Sequence, residues 1–287
     1  MTATAKKAAI LTKPTLSAWD TAFKNISTDL LAKDYVLAIF FSDDFFSYAI
    51  SNYKSNKIIG TQYFKKTNLN NIINQITHLS KSYKQVKITY NPSQYTIIPD
   101  ELFDAKLIKD YLKFNFQNPE LDYVTFDSLK KCKSKLVYSM PKDIEKWINK
   151  NFPKAVSYHQ NTALINKLLS DKNHQTKPIM HINISSFQTN IIVIQQNKLL
   201  FCNTFETKTI EEQVYFIAFT MEQLKLSPLS TKVIFSHLPD YDIAQIKLLF
   251  KYFNKPELAD YNFNLSPQLN KFKTASFNNL YSLVACE

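Results

Sequence analysis

Two segments of this 287-residue chain present the same order of apolar and polar blocks. Each segment has three β-type runs, then a stretch with helical spacing, then one more short apolar run. SNKIIGTQYF at 55–64 aligns with QNKLLFCNTF at 196–205, so that Asn56 corresponds to Asn197. Because chance alternation rarely reproduces so long a pattern, the repeat predicts two units of the order β-β-β-α-β.

The local patterns favour the same assignment. Aromatic and β-branched runs at 36–41 and 46–50 flank a polar turn and predict a hairpin in the first unit. A second hairpin is predicted over 191–205, and Thr209 with Glu212 forms a capping box that starts the second helix. Helical spacing is also found at 69–79, 99–114, 141–152, 159–169, 210–224, 241–253 and 275–285. Further strands are predicted at 86–90, 122–127, 134–140, 232–236 and 259–265.

A polar stretch after Ser170 is the best domain boundary. We therefore predict an N-terminal tail and lead-in over 1–33, a first half over 34–170 and a second half over 171–287. The apolar content of 45% supports a substantial core for both halves.

The composition limits the chemistry that this chain can perform. It has one glycine, Gly60, and no arginine, although most phosphate-binding loops depend on one or both residues. The net charge is +11, but the lysines are scattered, and this disfavours the clustered stripe of a nucleic-acid-binding protein. Cys132, Cys202 and Cys286 lie far apart in sequence, which fits neither a disulfide framework nor a zinc site. With no apolar run of membrane-spanning length, we expect a cytoplasmic protein.

The stretch from His181 to Phe201, HINISSFQTNIIVIQQNKLLF, resembles the second phosphate loop of the actin-like ATPases. That superfamily includes actin, Hsp70 and sugar kinases, and the PilM and FtsA assembly proteins are the most similar in layout. The layout is also similar to an uncharacterised bacterial family, catalogued as a domain of unknown function with an actin-like fold. The resemblance covers about residues 34–285. It implies an α/β fold of two ribonuclease-H-like halves, each a mixed β-sheet of β-β-β-α-β type with flanking helices.

The loops depart from the pattern of that superfamily. Asn183 and Ser185 stand where it has aspartate and glycine, and Phe40 stands at the aspartate position of the first loop. His237 and Leu238 replace the paired glycines of the adenosine-binding turn. By the resemblance, the residues that would face a nucleotide are Ser42, Asp43, Asp44, Asn183, Ser185, Ser186, Thr189 and His237.

These departures predict a non-catalytic actin-like scaffold or interaction protein, with no catalytic residue and no metal ligand. We expect Phe45, Phe187 and Leu238 to narrow the cleft, so that ATP with magnesium is disfavoured as a cofactor. The expected partner is an unidentified protein, with self-association as one form of this. Two alternatives remain. One is a basic nucleic-acid-binding protein. The other is a divergent ATP-binding protein, ATPase or phosphotransferase, whose loops would use Ser42, Asp43, Asp44, Ser185, Ser186 and Thr189.

Overall fold

The β-type runs of the sequence form strands in a computed structural model that describes residues 16–19, 32–41, 45–65, 83–92, 94–170, 177–239, 241–270 and 274–286. The strands of these ranges are β1 (Leu16–Trp19), β2 (Tyr35–Phe41), β3 (Phe45–Asn52), β4 (Ile58–Lys65), β5 (Gln85–Tyr90), β6 (Tyr95–Pro99), β7 (Tyr123–Leu129), β8 (Ser134–Met140), β9 (Val156–His159), β10 (Ile179–Ile184), β11 (Gln188–Gln195), β12 (Lys198–Glu206), β13 (Lys232–His237) and β14 (Glu257–Leu258). The helices are α1 (Ile108–Asn115), α2 (Lys142–Asn151), α3 (Gln160–Ser170), α4 (Ile210–Gln223), α5 (Ile243–Leu249) and α6 (Asn278–Val284).

The two larger sheets share one topology. The first has the order β1-β4-β3-β2-β5-β9 and the second has the order β12-β11-β10-β13-β14. Apart from β1, the strands correspond one to one, and in both sheets three antiparallel strands are followed by parallel neighbours. The predicted α/β fold of two ribonuclease-H-like halves is confirmed. The helix predicted over 69–79 lies outside the described residues.

The aligned hairpins also agree in detail. Asn56 and Asn197 both have left-handed backbone conformations, with φ of 53° and 57°, which asparagine tolerates better than most residues. In β4 the register skips Ile59, and in β12 it skips the aligned Leu200, so that both strands carry a bulge at the same place. The two halves therefore match at the level of single residues, and their origin by duplication stays a prediction.

A three-stranded sheet of order β6-β8-β7 is inserted in the first half, between β5 and β9. The predictions of β7 and β8 are confirmed. The sequence pattern does not predict β6 or β9, because these strands have only five and four residues.

Three other predictions need correction. The helix predicted over 99–114 is two short 3₁₀ turns followed by α1, and the one over 241–253 is α5 followed by a 3₁₀ turn. The strand predicted over 259–265 is wrong. Only Glu257–Leu258 pairs as a strand, and Leu265 forms a single bridge with Ile58. Aspartate and asparagine at alternate positions of this segment weaken its β propensity.

Two helices join the halves. The side chains of α6 are all buried, and this helix of the second half packs on β2, β3 and β5 of the first sheet. Conversely, α3 ends the first half and also contacts β11 and β12 of the second sheet. Because α3 and α6 pack on each other as well, the space between the sheets is occupied by the chain itself.

Candidate functional site

The loop that resembles a phosphate loop, between β10 and β11, is closed on itself. The backbone N–H of Ser185 donates to the carbonyl of Gln188 over 2.9 Å, and the Ser185 Oγ accepts from the N–H of Gln188 over 3.1 Å. Ser186 and Phe187 at the tip are exposed. The hydroxyl and amide of Ser185 are therefore engaged within the turn, and only Ser186 offers an exposed hydroxyl there.

Asn183 and Thr189 flank this loop, and both side chains are buried and hydrogen-bonded within the second half. The Oδ1 of Asn183 accepts from the Oγ of Ser236 on the neighbouring parallel strand, over 2.9 Å. The hydroxyl of Thr189 lies 2.9 Å from that of Thr207. Two of the candidate nucleotide-binding side chains are thus hydrogen-bonded within the second half.

His237 ends β13 at the place of the adenosine-binding turn, and its side chain is only 5% exposed. Its Nδ1 lies 2.8 Å from the carbonyl of Leu238. Its Nε2 lies 3.2 Å from the Oγ of Ser276, which belongs to the segment that leads into α6. The C-terminal segment therefore packs against the carboxyl end of β13, at the kind of edge where open α/β sheets bind ligands.

Apolar side chains fill the centre of the cleft. Phe45, at the start of β3, packs edge-on against Phe40 at 4.8 Å between ring centroids and stacks on Tyr63 at 5.9 Å. From the other side come Leu238 and Phe277, which pack into the same cluster. Among the described residues, this cluster leaves a cavity of about 10 Å³ between the halves, which is room for no more than one water molecule.

The structure separates the three residues that were expected to narrow the cleft. Phe45 and Leu238 lie in the apolar cluster of the cleft, as described above. Phe187 is 60% exposed and is not part of that cluster, so the expectation that it narrows the cleft is wrong. Ser42, Asp43 and Asp44 of the first loop lie outside the described residues.

Polar contacts also tie the two halves together beside the cleft. The Nδ2 of Asn91, which follows β5, donates to the Oε1 of Gln188 over 3.1 Å. Asn161 of α3 and Asn190 of β11 exchange side-chain hydrogen bonds of 2.7 and 3.3 Å. Since both pairs cross from one half to the other, they hold the cleft closed together with the apolar cluster.

A buried carboxyl group lies next to the contact between Asn161 and Asn190, and the sequence does not indicate it. Asp127 of β7 accepts from the Thr162 hydroxyl over 2.6 Å and from the His159 backbone N–H over 2.7 Å. Burial raises the pKa of Asp127 to about 6 despite these donors, and burial lowers the pKa of His159 to about 3. The group comes together only in three dimensions, from β7, β9 and α3, and no motif in the sequence marks it.

The described part of the chain has neither a metal-binding cluster nor a membrane-spanning helix. It contains no cluster of three histidine, cysteine, aspartate or glutamate side chains arranged to hold a metal ion. Within the same ranges, every helix is too short or too polar to span a lipid bilayer.

Comparison with known proteins agrees with this architecture. A protein from Bacteroides thetaiotaomicron VPI-5482, described as having an actin-like ATPase fold and unknown function, superposes with a TM-score of 0.74 at 22% identity. The match covers 92% of this chain and 100% of that one. The PilM–PilN type IV pilus biogenesis complex gives a TM-score of 0.57 at 9% identity, over 87% of this chain and 97% of that chain. No curated protein matches the sequence significantly.

These similarities establish the actin-like ATPase fold, and the resemblance in the sequence is confirmed. Residues 24–255 match the model of a single family, described as "Protein of unknown function (DUF3822)", over most of the chain. This chain therefore belongs to the DUF3822 family and has the actin-like ATPase fold.

Proposed function

We propose that this protein is a non-catalytic actin-like scaffold that works by binding another protein. One observation carries the proposal: among the described residues, Phe40, Phe45, Leu238 and Phe277 fill the cleft between the halves down to a cavity of about 10 Å³. Sites for small ligands usually have volumes of roughly 300–1,000 Å³. A nucleotide would therefore have to displace side chains that the fold uses as core.

The energetic cost of that displacement argues against nucleotide binding. Returning a buried phenylalanine to water costs about 1.5–3 kcal/mol, and both Phe45 and Phe277 would have to move. Two of the polar groups that could compensate are already engaged, since Asn183 is bonded to Ser236 and His237 lies against Ser276. We expect an affinity for ATP weaker than about 1 mM, which corresponds to a binding free energy below roughly 4 kcal/mol.

Isothermal titration of the full chain with ATP and magnesium tests this proposal. We expect no saturable heat at millimolar nucleotide and no hydrolysis above a blank. A micromolar dissociation constant, or steady release of phosphate, would overturn the scaffold proposal in favour of a divergent ATPase. In that case the double variant Asp43→Ala with Asp44→Ala decides whether the first loop supplies the carboxylates, since turnover that persists in it excludes them.

The partner is proposed to be a protein. The structure of PilM, which has a similar fold, was determined as a PilM–PilN complex. We also propose a reducing, cytoplasmic compartment, because Cys132, Cys202 and Cys286 are all free thiols. Labelling of the denatured protein with a thiol reagent checks that the cysteines are reduced, and we expect three reactive thiols.

A further inference from the structure

Among the described residues, one edge of the second sheet has no neighbouring strand, whereas the matching edge of the first sheet is covered. In the first sheet the edge strand β4 pairs with β1, which adds antiparallel over Leu16–Trp19. In the second sheet the corresponding strand is β12, and among the described residues it pairs only with β11. The same structural unit therefore accepts a short extended segment in one half, and in the other half no described segment takes the equivalent position.

A groove of about 900 Å³ runs along this open edge. One wall is formed by the consecutive residues 198–203 of β12, and the other by 95–97 of β6 and the turn at 131–134. Because consecutive residues line both walls, the groove is bordered by backbone as well as by side chains. The hydroxyl of Tyr95 lies 3.4 Å from Cys202 Sγ and joins the two walls.

The groove is positively charged. Lys131, Lys133 and Lys198 line it, and its described lining contains no aspartate or glutamate. Lysines placed along an edge strand hinder pairing with another neutral or basic edge, including a second copy of this basic chain. They favour an extended segment that carries carboxylates.

The backbone that a ligand would pair with is that of β12 rather than β6. β12 has nine residues and no proline, whereas β6 has five and ends at Pro99, which has no N–H to donate. Apolar surface continues from β12 onto α4, because Phe205 stacks on Phe216 at 4.4 Å and Tyr215 beside it is 60% exposed. An added strand would thus meet the lysines of the groove and lie near the aromatic surface of α4.

We propose that β12 binds an extended acidic segment of a partner protein as an added antiparallel strand. Main-chain hydrogen bonds to β12 supply the affinity, and the three lysines select a segment in which carboxylates alternate with apolar side chains. This inference deepens the proposed function by naming the class of partner, and it rests on that function only in taking the protein to act by binding.

The test uses the full chain and a fluorescein-labelled eight-residue peptide of alternating glutamate and valine. We expect binding with a micromolar dissociation constant in fluorescence anisotropy. The double variant Lys133→Glu with Lys198→Glu should weaken it at least tenfold, while Lys150→Glu, at an exposed site on α2 away from the groove, should leave it unchanged. A peptide with lysine in place of glutamate should bind at least tenfold more weakly than the acidic one.

Hydrogen exchange distinguishes strand addition from attraction between side chains alone, because only strand addition protects the backbone amides of β12. The bound acidic peptide should slow amide exchange within 198–206 and leave the covered strand at 58–65 unchanged. Equal affinity for both peptides, no binding at 1 mM, or no protection of β12 would each overturn the inference. A single-stranded oligonucleotide that displaces the peptide, or a dimer in light scattering that Lys198→Glu dissolves, would overturn it in favour of nucleic acid or of self-association.

The scaffold proposal and the proposal of strand addition at β12 can each be contradicted without affecting the other. The peptide assay does not involve the cleft, so a failure there leaves the argument from Phe45 and Phe277 intact. Conversely, an ATP titration with a micromolar dissociation constant removes the scaffold proposal, whatever the peptide does at β12.

Discussion

The ammonium group of Lys87, in the middle of β5, donates a hydrogen bond of 2.9 Å to the carbonyl of Val284 at the end of α6. The same group also bonds the carbonyl of Cys286, and the lysine is 5% exposed. A cation is favourable at a helix C-terminus, where carbonyl groups are left without helical donors. A strand of the first half thereby holds the last helix of the second half in place across the cleft.

Replacing Lys87 with methionine should destabilise the protein. The carbonyl groups of Val284 and Cys286 would lose their charged donor in a buried place, and hydrogen bonds to charged groups are worth about 1.5–3 kcal/mol. Urea denaturation should show a loss of that size in the free energy of unfolding. The matched change Lys150→Met, at an exposed lysine, should have almost no effect, and equal stability of the two variants would contradict the role of Lys87.

The buried His181 should make the protein sensitive to acid. Burial lowers its pKa to about 3 in the folded state, from 6.5 when it is exposed. As the pH falls from about 6.5 towards 3, the unfolded chain gains a proton that the folded His181 does not accept. The free energy of unfolding should therefore fall by up to about 1.4 kcal/mol per pH unit on account of this residue. In His181→Gln that part of the slope should be absent in denaturation measured at several pH values.

Asp127 should act in the opposite direction in an overlapping pH range. Its pKa is about 6 in the folded state and 3.8 when it is exposed, so the folded protein keeps a proton that the unfolded chain releases. As the pH rises from about 4 to 6, stability should fall by roughly 3 kcal/mol in total and then level off. Asp127→Asn mimics the protonated carboxyl group, and its advantage over the wild type should grow across that window. A constant difference between the two proteins would contradict the raised pKa.

The sequence predicts the local features of this structure, but it does not predict the features that depend on tertiary contacts. The repeated hairpins are local, and the alignment of Asn56 with Asn197 holds to the level of backbone angle and bulge. The involvement of Phe45 and Leu238 in the cleft also follows from the sequence, since each stands in a loop position that the resemblance identifies.

The features that the sequence misses are tertiary. Nothing near Phe277 indicates that the C-terminal segment turns back into the cleft, because the contact joins residues more than 200 positions apart. Asp127 and Thr162 come from the inserted sheet and the linking helix, and neither stands in a recognisable motif. The strand β9 has four residues and is defined by its parallel neighbour rather than by its own pattern.

Because the chain has only one glycine, a lysine occupies a strained backbone position at the end of α4, and replacing it should stabilise the protein. Lys225 has φ of 52° and occupies the position after the helix where glycine is usual. The N–H of Leu226 donates to the carbonyl of Met221 and that of Lys225 to the carbonyl of Glu222, so the left-handed conformation is required. Lys225→Gly should raise the free energy of unfolding by about 1 kcal/mol, because a residue with a Cβ is strained there. Lys208→Gly, at an exposed lysine without positive φ, should not stabilise the protein.

Phe277 gives the sharpest test of the filled cleft. Its ring is buried, stacks on Tyr281 at 5.5 Å between centroids and borders the small cavity opposite Phe45. Phe277→Ala should lower the free energy of unfolding by about 3–5 kcal/mol, as expected when a large core side chain leaves a void. Phe114→Ala, at a side chain that is 91% exposed, is the control and should cost little. If Phe277→Ala were as stable as that control, the ring would not be part of a core, and the cleft would be free to admit a ligand.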